Sequence, residues 1–221
     1  MLTVLGQKGA GKTTYARWLL ERTPRAVVVD RFLEYPGAVT GKFNDAVDYL
    51  AANWRGPFRL VVRFTDDLHH RELFRFLAVT ARRCPTLPIG LVIEEADFFC
   101  RPTFIEPTLD ALYRYGRHYR LNLLSVARGD TDLHRAALQA SDCLVVFRSR
   151  KFSGDMRERF AGAELQAVQR LESLVPGAVP EKGRHYLTFP PEEDPAALWA
   201  AAQLADAGPP EGGVAPPGPG V

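Results

Sequence analysis

Residues 1–14 read MLTVLGQKGAGKTT and contain the most specific motif of the chain. Its segment 6–13 matches the phosphate-binding pattern G-x-x-x-x-G-K-[ST] in full. Glycines and small residues let such a loop wrap a phosphate with its backbone N–H groups. An apolar run precedes the segment and a helical pattern follows it, which is the strand–loop–helix setting that the motif requires. The sequence therefore predicts a nucleotide-binding loop made of Gly6, Gln7, Lys8, Gly9, Ala10, Gly11, Lys12, Thr13 and Thr14.

Two residues at the end of this loop carry specific chemistry. Lys12 is expected to reach the β- and γ-phosphates, and the hydroxyl of Thr13 is expected to bind Mg²⁺. ATP and Mg²⁺ are therefore the expected ligands. The alternative is a glycine-rich turn that binds nothing, and the flanking strand and helix argue against it.

A second motif lies at 91–97, where LVIEEAD is an apolar strand pattern that ends in two carboxylates. Such a strand end can place one carboxylate near the loop threonine, where it organises the metal, and the next where it polarises an attacking water. We assign Glu94 to the metal shell together with Thr13, and Glu95 to water activation. The alternative is that both carboxylates simply end a strand and face solvent.

Apolar runs and helical patterns alternate along most of the chain. The β-rich runs are 2–5, 26–30, 58–64, 89–95, 121–127, 143–148 and 184–189. The helix-like segments lie near 12–22, 43–53, 67–83, 106–118, 132–139 and 155–173. Continuous apolar strands separated by helices indicate strands that are buried on both faces. The pattern predicts an α/β fold with a mainly parallel central sheet flanked by helices.

The position of the acidic strand favours the additional-strand class of P-loop ATPases, in which a glutamate is catalytic. At least one of the runs 26–30 and 58–64 is then expected between the P-loop strand and the acidic strand, or beyond them. The composition changes after residue 189. We therefore predict a P-loop ATPase domain at 1–190 and a Pro/Gly/Ala-rich tail at 191–221. The tail has a helix candidate at 195–206, and its segment 208–221 is predicted to be disordered.

Composition narrows the class of protein. The net charge of +2 over 221 residues gives no bulk attraction to nucleic acid, so any polyanion site depends on local clustering. No stretch approaches the roughly 20 apolar residues that a membrane helix needs. The three cysteines are widely spaced and fit neither a metal-binding pattern nor a disulfide framework. We expect a soluble protein of the cytoplasm.

Further motifs follow the acidic strand. IEEAD at 93–97 is followed at 112–148 by LYRYGRHYRLNLLSVARGDTDLHRAALQASDCLVVFR. With these motifs, residues 1–150 resemble the FtsK–HerA superfamily of DNA-pumping ATPases. Within it they resemble the genome-packaging ATPases of membrane-containing icosahedral viruses. The shared features are a helix ending in a Gly-Arg-aromatic turn, a strand ending in a polar residue, an x-D-L step and an apolar strand ending in Phe-Arg.

The resemblance implies a RecA/FtsK-like fold and ATP hydrolysis coupled to translocation of double-stranded DNA. Such a motor is a homo-oligomeric ring, a pentamer or hexamer, that holds DNA by phosphate contacts without reading its sequence. It would work in the host cytoplasm or be associated with the virion. Two roles for the tail stay open: docking to a capsid vertex or to viral membrane proteins, or a solvated end with no function.

Ring ATPases complete their site with an arginine supplied by a neighbouring subunit. The candidates are Arg114, Arg117, Arg128 and Arg148. The resemblance implies an exposed edge for Arg117 and Arg148. Arg128 stands where many cellular members carry a γ-phosphate-sensing Gln, and the packaging branch often has Ala-Arg there. Sensing within its own subunit and contact with a neighbour both stay open for Arg128, and a solvated surface role is the alternative for each arginine.

Three other functions remain in competition. A related ATPase that serves plasmid or prophage DNA transfer, or phage assembly, would carry the same motifs. A small-molecule kinase would transfer phosphate to an acceptor, and Arg148–Lys151 could imitate the arginine-rich lid of such an enzyme. A regulatory P-loop switch would bind nucleotide without pumping. A GTPase is disfavoured because no N-K-x-D motif occurs.

Overall fold

A computed structural model describes residues 1–83, 88–150, 152–159 and 161–204. Among these residues the strands are β1 (Leu2–Leu5), β2 (Arg25–Val29), β3 (Ala38–Thr40), β4 (Phe58–Val62), β5 (Ile89–Ile93), β6 (Cys100–Arg101), β7 (Phe104–Ile105), β8 (Leu121–Ala127), β9 (Cys143–Phe147) and β10 (Tyr186–Phe189). The helices are α1 (Lys12–Leu20), α2 (Phe43–Asn53), α3 (Asp67–Arg83), α4 (Pro107–Tyr115), α5 (Arg135–Ala140), α6 (Gly154–Arg159), α7 (Gly162–Arg170) and α8 (Pro195–Leu204). Short 3₁₀ turns occupy Ala96–Phe98, Gly116–Tyr119 and Asp130–Asp132.

Eight of the described strands form one sheet in the order β10-β9-β1-β8-β5-β2-β4-β3. All neighbouring pairs in it are parallel except β10 with β9. The predicted α/β fold with a mainly parallel central sheet is therefore confirmed. The P-loop strand β1 and the acidic strand β5 are separated by β8, which comes from later in the chain. Strands β2 and β4, which contain most of the runs 26–30 and 58–64, lie beyond β5.

The sheet has a hydrophobic layer on each face, because successive strand residues point to opposite sides. In β2, Val28 belongs to the layer that also holds Tyr15 and Leu19 of α1. Its neighbours Val27 and Val29 belong to the larger layer on the other face. Strands that are buried on both faces explain why the sequence shows continuous apolar runs instead of alternation.

Some elements differ from the sequence-based expectation. The short strands β3, β6 and β7 were not expected, because two or three residues give no periodic signal. The predicted helix at 155–173 is two helices, α6 and α7, which end and begin at 159 and 162. The helix predicted at 132–139 is replaced by a 3₁₀ turn followed by α5, which begins at Arg135.

The helix candidate at 195–206 contains α8, which packs on the sheet. Trp199 is 2% exposed, and its Nε1 donates a hydrogen bond of 2.8 Å to Oγ1 of Thr23. The segment 205–221, and with it the predicted disorder of 208–221, lies outside the described residues. The division into a domain at 1–190 and a tail at 191–221 stays a prediction. Within the described ranges, no helix is long and apolar enough to cross a bilayer.

Candidate active site

The parallel strands bring four loops to one edge of the sheet. Leu5 at the end of β1 is paired with Ala127 of β8, and Ile93 at the end of β5 is paired with Ser125 of β8 and Val29 of β2. The residues that follow these strands therefore emerge side by side. Ligands of open α/β sheets bind outside the carboxyl ends of the strands, which is this edge.

The P-loop has the backbone that its glycines allow. Gly6, Gly9 and Gly11 have φ values of 153°, 76° and 102°. A Cβ atom on Gly11 would lie 2.5 Å from both the Cβ and the carbonyl oxygen of Leu174. The backbone N–H of Leu174 also donates to the carbonyl oxygen of Ala10 at 3.1 Å. The segment that follows α7 thus supports the P-loop from behind and requires glycine at position 11.

The loop is closed by its own hydrogen bonds and by β9. The N–H of Ala10 donates to the carbonyl oxygen of Gln7, and the N–H of Gln7 donates to the carbonyl oxygen of Arg148. The ammonium group of Lys12 donates to the carbonyl oxygen of Gln7 at 3.2 Å. Burial lowers the pKa of Lys12 from its ordinary value, and the nearby charges of Glu94 and other carboxylates oppose this shift. Lys12 is thus held at the loop, where an anion would stabilise its charge.

Thr13 and Glu94, which the sequence analysis assigned together to the metal, are hydrogen-bonded to each other. Thr13 Oγ1 donates to Glu94 Oε1 at 2.5 Å. The Glu94 residue is 4% exposed, and its Oε2 has no hydrogen-bond partner among the described residues. Burial raises the pKa of Glu94 to about 7, while the hydrogen bond from Thr13 and the charge of Lys12 act in the opposite direction. A bound cation would stabilise this buried carboxylate, because it would contact the oxygen that has no hydrogen-bond partner among the described residues.

The donors present fit a magnesium ion. Mg²⁺ in nucleotide sites is held by a hydroxyl and one or two carboxylates, and it completes its shell with phosphate oxygens and water. Thr13 and Glu94 supply a hydroxyl and a buried carboxylate oxygen that lacks a partner. Within the part of the chain that the structure describes, no group of three or more His, Cys, Asp or Glu side chains is placed to hold a metal alone. An ion held by Thr13 and Glu94 would complete its shell with oxygens from outside the chain, such as those of phosphate or water.

Glu95 points away from Glu94 because the backbone turns between them. It has φ 50° and ψ 52°, the left-handed region that non-glycine residues rarely adopt. Its Oε1 accepts a hydrogen bond of 2.7 Å from Nη2 of Arg128, the residue that follows β8. The Arg128 side chain is 60% exposed and that of Glu95 is 27% exposed. This hydrogen bond and the charge of Glu95 raise the pKa of Arg128. The two adjacent carboxylates thus have separate environments, one at Thr13 and one at Arg128.

These groups share one cavity of about 370 Å³. The residues that line it are Lys8, Gly9, Lys12, Thr13, Phe32, Glu34, Glu94, Glu95, Val126, Ala127 and Arg128. The phosphate loop, both acids of the second motif and Arg128 therefore converge on a single space. Lys8 is exposed, and Thr14 lies half-buried in the first turn of α1.

The other two predicted catalytic arginines lie elsewhere. Arg148 is half-buried behind the P-loop, and its Nη2 donates to Ser173 Oγ at 2.9 Å. Because β10 pairs with β9, the strand that ends before Arg148 is not at the sheet edge. Arg117 lies in the 3₁₀ turn before β8, at the opposite edge of the sheet. The seven residues of β8 span about 20 Å between these edges.

Two residues of the site escaped sequence reasoning. Glu34 Oε2 accepts a hydrogen bond of 2.9 Å from Thr13 Oγ1. Asp30, fully buried at the end of β2, accepts from the backbone N–H groups of Phe32, Glu34 and Tyr35. For Asp30 the available signal was its position as the acidic last residue of the apolar run AVVVD at 26–30. It indicates a loop that is organised by a carboxylate.

Comparison with known proteins finds relatives of the fold. No family model matches the chain. No curated protein matches its sequence either. The structure of the genome-packaging NTPase B204 from Sulfolobus turreted icosahedral virus 2 with AMPPCP is similar, with a TM-score of 0.61 and 20% identity, over 78% of this chain and 88% of that one.

Two more solved structures share the fold. B204, the DNA-packaging ATPase from Sulfolobus turreted icosahedral virus, has a TM-score of 0.52 and 14% identity, over 79% of this chain and 87% of that one. VirB4 of Thermoanaerobacter pseudethanolicus has a TM-score of 0.53 and 13% identity, over 78% of this chain and 84% of that one. These neighbours are FtsK–HerA family ATPases. At these identities the likeness is one of fold, and this fold is the one that the resemblance in sequence implied.

Proposed function

We propose that this chain hydrolyses ATP and uses the energy to move double-stranded DNA, as one subunit of a ring that packages a viral genome. The observation that carries the proposal is the single cavity shared by the P-loop, the Thr13–Glu94 pair and the Glu95–Arg128 pair. The likeness in fold to the packaging NTPase B204 supports the finer part, DNA packaging.

In this proposal the P-loop residues bind the phosphates of ATP. The backbone N–H groups of residues 6–14 and the ammonium group of Lys12 contact the β- and γ-phosphates. Thr13 and Glu94 hold Mg²⁺, which supplies neutralisation of phosphate charge when bound. The buried, unpartnered Oε2 of Glu94 supports this assignment.

Glu95 is the general base. Its carboxylate accepts a proton from a water molecule while the water oxygen attacks the γ-phosphorus, and the bond to the bridging oxygen of ADP breaks. Arg128 pairs with Glu95 of its own subunit, which supports sensing in cis. A bound γ-phosphate offers Arg128 a second anion. When the γ-phosphate binds, the hydrogen bond from Arg128 to Glu95 weakens, and the Glu95 carboxylate can then accept a proton from water.

In the proposed ring, each site receives an arginine from the neighbouring subunit. Arg117 is 65% exposed and lies 3.8 Å from its nearest acidic partner, Asp142. It is therefore available to a neighbour, whereas Arg148 is engaged with Ser173 of its own chain. DNA would be held through its phosphates, and the assembly would act in the host cytoplasm.

The fold alone does not separate packaging from related activities, because VirB4 shares it. A plasmid or prophage ATPase of the same family would also hydrolyse ATP in a DNA-dependent manner. It would differ in failing to complement packaging. A kinase or a regulatory switch would differ earlier, since neither would couple turnover to DNA.

The deciding experiment measures ATP turnover with and without linear double-stranded DNA over rising protein concentration. It compares the wild type with Glu95→Gln and with Glu21→Gln, an exposed carboxylate outside the site. We expect turnover that DNA stimulates, that rises more than proportionally with protein, and that Glu95→Gln abolishes while Glu21→Gln does not. Robust turnover that ignores DNA and stays proportional to protein would rule out a ring motor and direct attention to phosphate acceptors.

A further inference from the structure

The Thr13 hydroxyl lies between two carboxylates. Its oxygen is 2.5 Å from Oε1 of Glu94 and 2.9 Å from Oε2 of Glu34. A hydroxyl has one hydrogen, so it can satisfy only one of the two acceptors at a time. Two acidic side chains that converge on one donor repel each other unless a cation or a shared proton lies between them.

The loop that contains Glu34 is held in place by hydrogen bonds and an ion pair. Its own N–H donates to Asp30 Oδ1 at 3.2 Å, and the next N–H, of Tyr35, donates to Asp30 Oδ2 at 3.1 Å. Arg63 forms an ion pair of 3.0 Å with Asp30 and also donates to the carbonyl oxygen of Tyr35. Leu33, with φ 62°, turns the chain so that Glu34 lies half-buried at the cavity. The backbone on both sides of Glu34 is therefore anchored.

The neighbouring groups do not supply the missing positive charge in full. The ammonium group of Lys12 donates to the carbonyl oxygen of Gln7. The second oxygen of Glu94, in a side chain that is more than nine-tenths buried, has no partner among the described residues. The arrangement thus offers a hydroxyl and two carboxylates to one small space at the P-loop. This is the hard-oxygen donor set that a divalent cation prefers.

We propose that Glu34 belongs to the divalent-cation site, as a second carboxylate beside Glu94 and the hydroxyl of Thr13. The inference rests on the proposed function, because the ion is expected to arrive with a nucleotide whose phosphates complete its shell. It goes beyond the P-loop and the acidic strand, since Glu34 comes from the loop after β2. Nucleotide binding would then link the anchored loop 31–35 to the P-loop through the metal.

The test uses Mg²⁺ and a fluorescent ATP analogue with the full-length chain, and it reads binding, not turnover. The dissociation constant is measured across a Mg²⁺ titration and again in EDTA, for wild type, Glu34→Gln and the control Glu21→Gln. We expect Glu34→Gln to raise the Mg²⁺ concentration for half-maximal tightening about tenfold. In EDTA the same variant should bind the analogue at least as tightly as wild type, because a negative charge beside the polyphosphate is gone.

These opposite signs separate a metal ligand from a structural residue. If Glu34→Gln weakens binding equally with Mg²⁺ and in EDTA, Glu34 positions the loop and the inference is overturned. If the variant matches wild type in both conditions, the inference is overturned as well, while Mg²⁺-dependent binding by the wild type keeps the proposed function intact. A wild-type chain that binds no nucleotide with Mg²⁺ overturns both. Thermal unfolding of each variant, together with Glu34→Asp as a shorter carboxylate, checks that a change in folding is not the cause.

Discussion

At the edge of the sheet where the parallel strands begin, here called the amino edge, Asp142 accepts from the N-terminal ammonium group and lies 3.8 Å from Arg117. At the edge where these strands end, the carboxyl edge, Glu94 and Glu34 instead converge on the hydroxyl of Thr13. Asp142 is 44% exposed and has cations beside it. Glu94 is buried, and its burial raises the pKa of its carboxyl group to about 7. Asp142 is thus paired with cations of its own chain, whereas Glu94 and Glu34 share one neutral donor and leave Oε2 of Glu94 without a partner among the described residues.

The largest effect is expected when a residue at the amino edge is changed and turnover at the carboxyl edge of a neighbouring subunit is measured. In an assembled ring we expect Arg117→Ala to lower DNA-stimulated turnover by about 10³-fold, because an arginine from a neighbour stabilises the transition state. Nucleotide affinity should stay unchanged, since Arg117 lies at the other end of β8. Turnover and fluorescent nucleotide binding are measured on the same preparations.

Mixing provides the control for this variant. An Arg117→Ala subunit with intact Glu95 should regain turnover beside a Glu95→Gln subunit with intact Arg117. Arg114→Ala is a matched comparison, because Arg114 is paired with Asp110 of its own helix at 2.8 Å. Loss of turnover in Arg114→Ala but not in Arg117→Ala would assign the arginine that acts on the neighbouring subunit to α4 and contradict a role for Arg117.

A second test affects the carboxyl edge alone. Gly11→Ala should lower the free energy of unfolding by about 3 kcal/mol, because φ is positive and the new Cβ would collide with Leu174. Nucleotide binding should be lost with it. Gly162→Ala is the matched control: a Cβ there meets nothing within 4 Å, so stability should hold or rise slightly. Equal stability of both variants in denaturant unfolding would contradict the observed loop geometry.

A third test uses pH. The pKa of Glu94 is about 7 in the folded chain against an ordinary 4.5, so its protonation stabilises the fold. That stability is fully present below pH 4.5 and is lost as the pH rises through 7. Without metal we expect the difference in unfolding free energy between wild type and Glu94→Gln to change by on the order of 3 kcal/mol over this window. Denaturant unfolding in EDTA at several pH values measures it, and a pH-independent difference would refute the assignment.

The smallest effect is expected at the amino edge. Asp142→Asn should change the free energy of unfolding by less than about 1 kcal/mol, because exposed ion pairs contribute little. Turnover per assembled subunit should remain, since Asp142 lies outside the cavity. A loss of more than 2 kcal/mol in thermal or denaturant unfolding, a threshold of roughly twice the usual value, would show that the two edges are less different than their exposures indicate.

Sequence reasoning reached the parts of the site that are contiguous in the chain. The P-loop is one segment, and Glu94 and Glu95 follow one apolar strand, so each motif could be recognised alone. Glu34 could not be found in this way. Its meeting with Thr13 depends on β2 lying next to β5 and on the buried Asp30 that shapes the loop.

The arginines show the same limit. Four candidates stayed open along the chain, and the order of strands gives Arg117, Arg128 and Arg148 different places in the fold. Arg128 follows β8 at the cavity, and Arg117 precedes the same strand at the far edge. The pairing of β10 with β9, which makes β9 an interior strand of the sheet, comes from a segment almost 40 positions further on than Arg148. Such long-range neighbours leave no local periodicity to read.

The support of the P-loop by Leu174 limits how far the chain can be shortened. The family-like motifs end near residue 150, so a fragment ending there looks complete by its motifs. Yet the carbonyl oxygen of Ala10 receives its hydrogen bond from Leu174, and that side chain covers Gly11. The minimal unit that can hold its phosphate loop in shape therefore extends through residue 174, beyond the last recognisable motif.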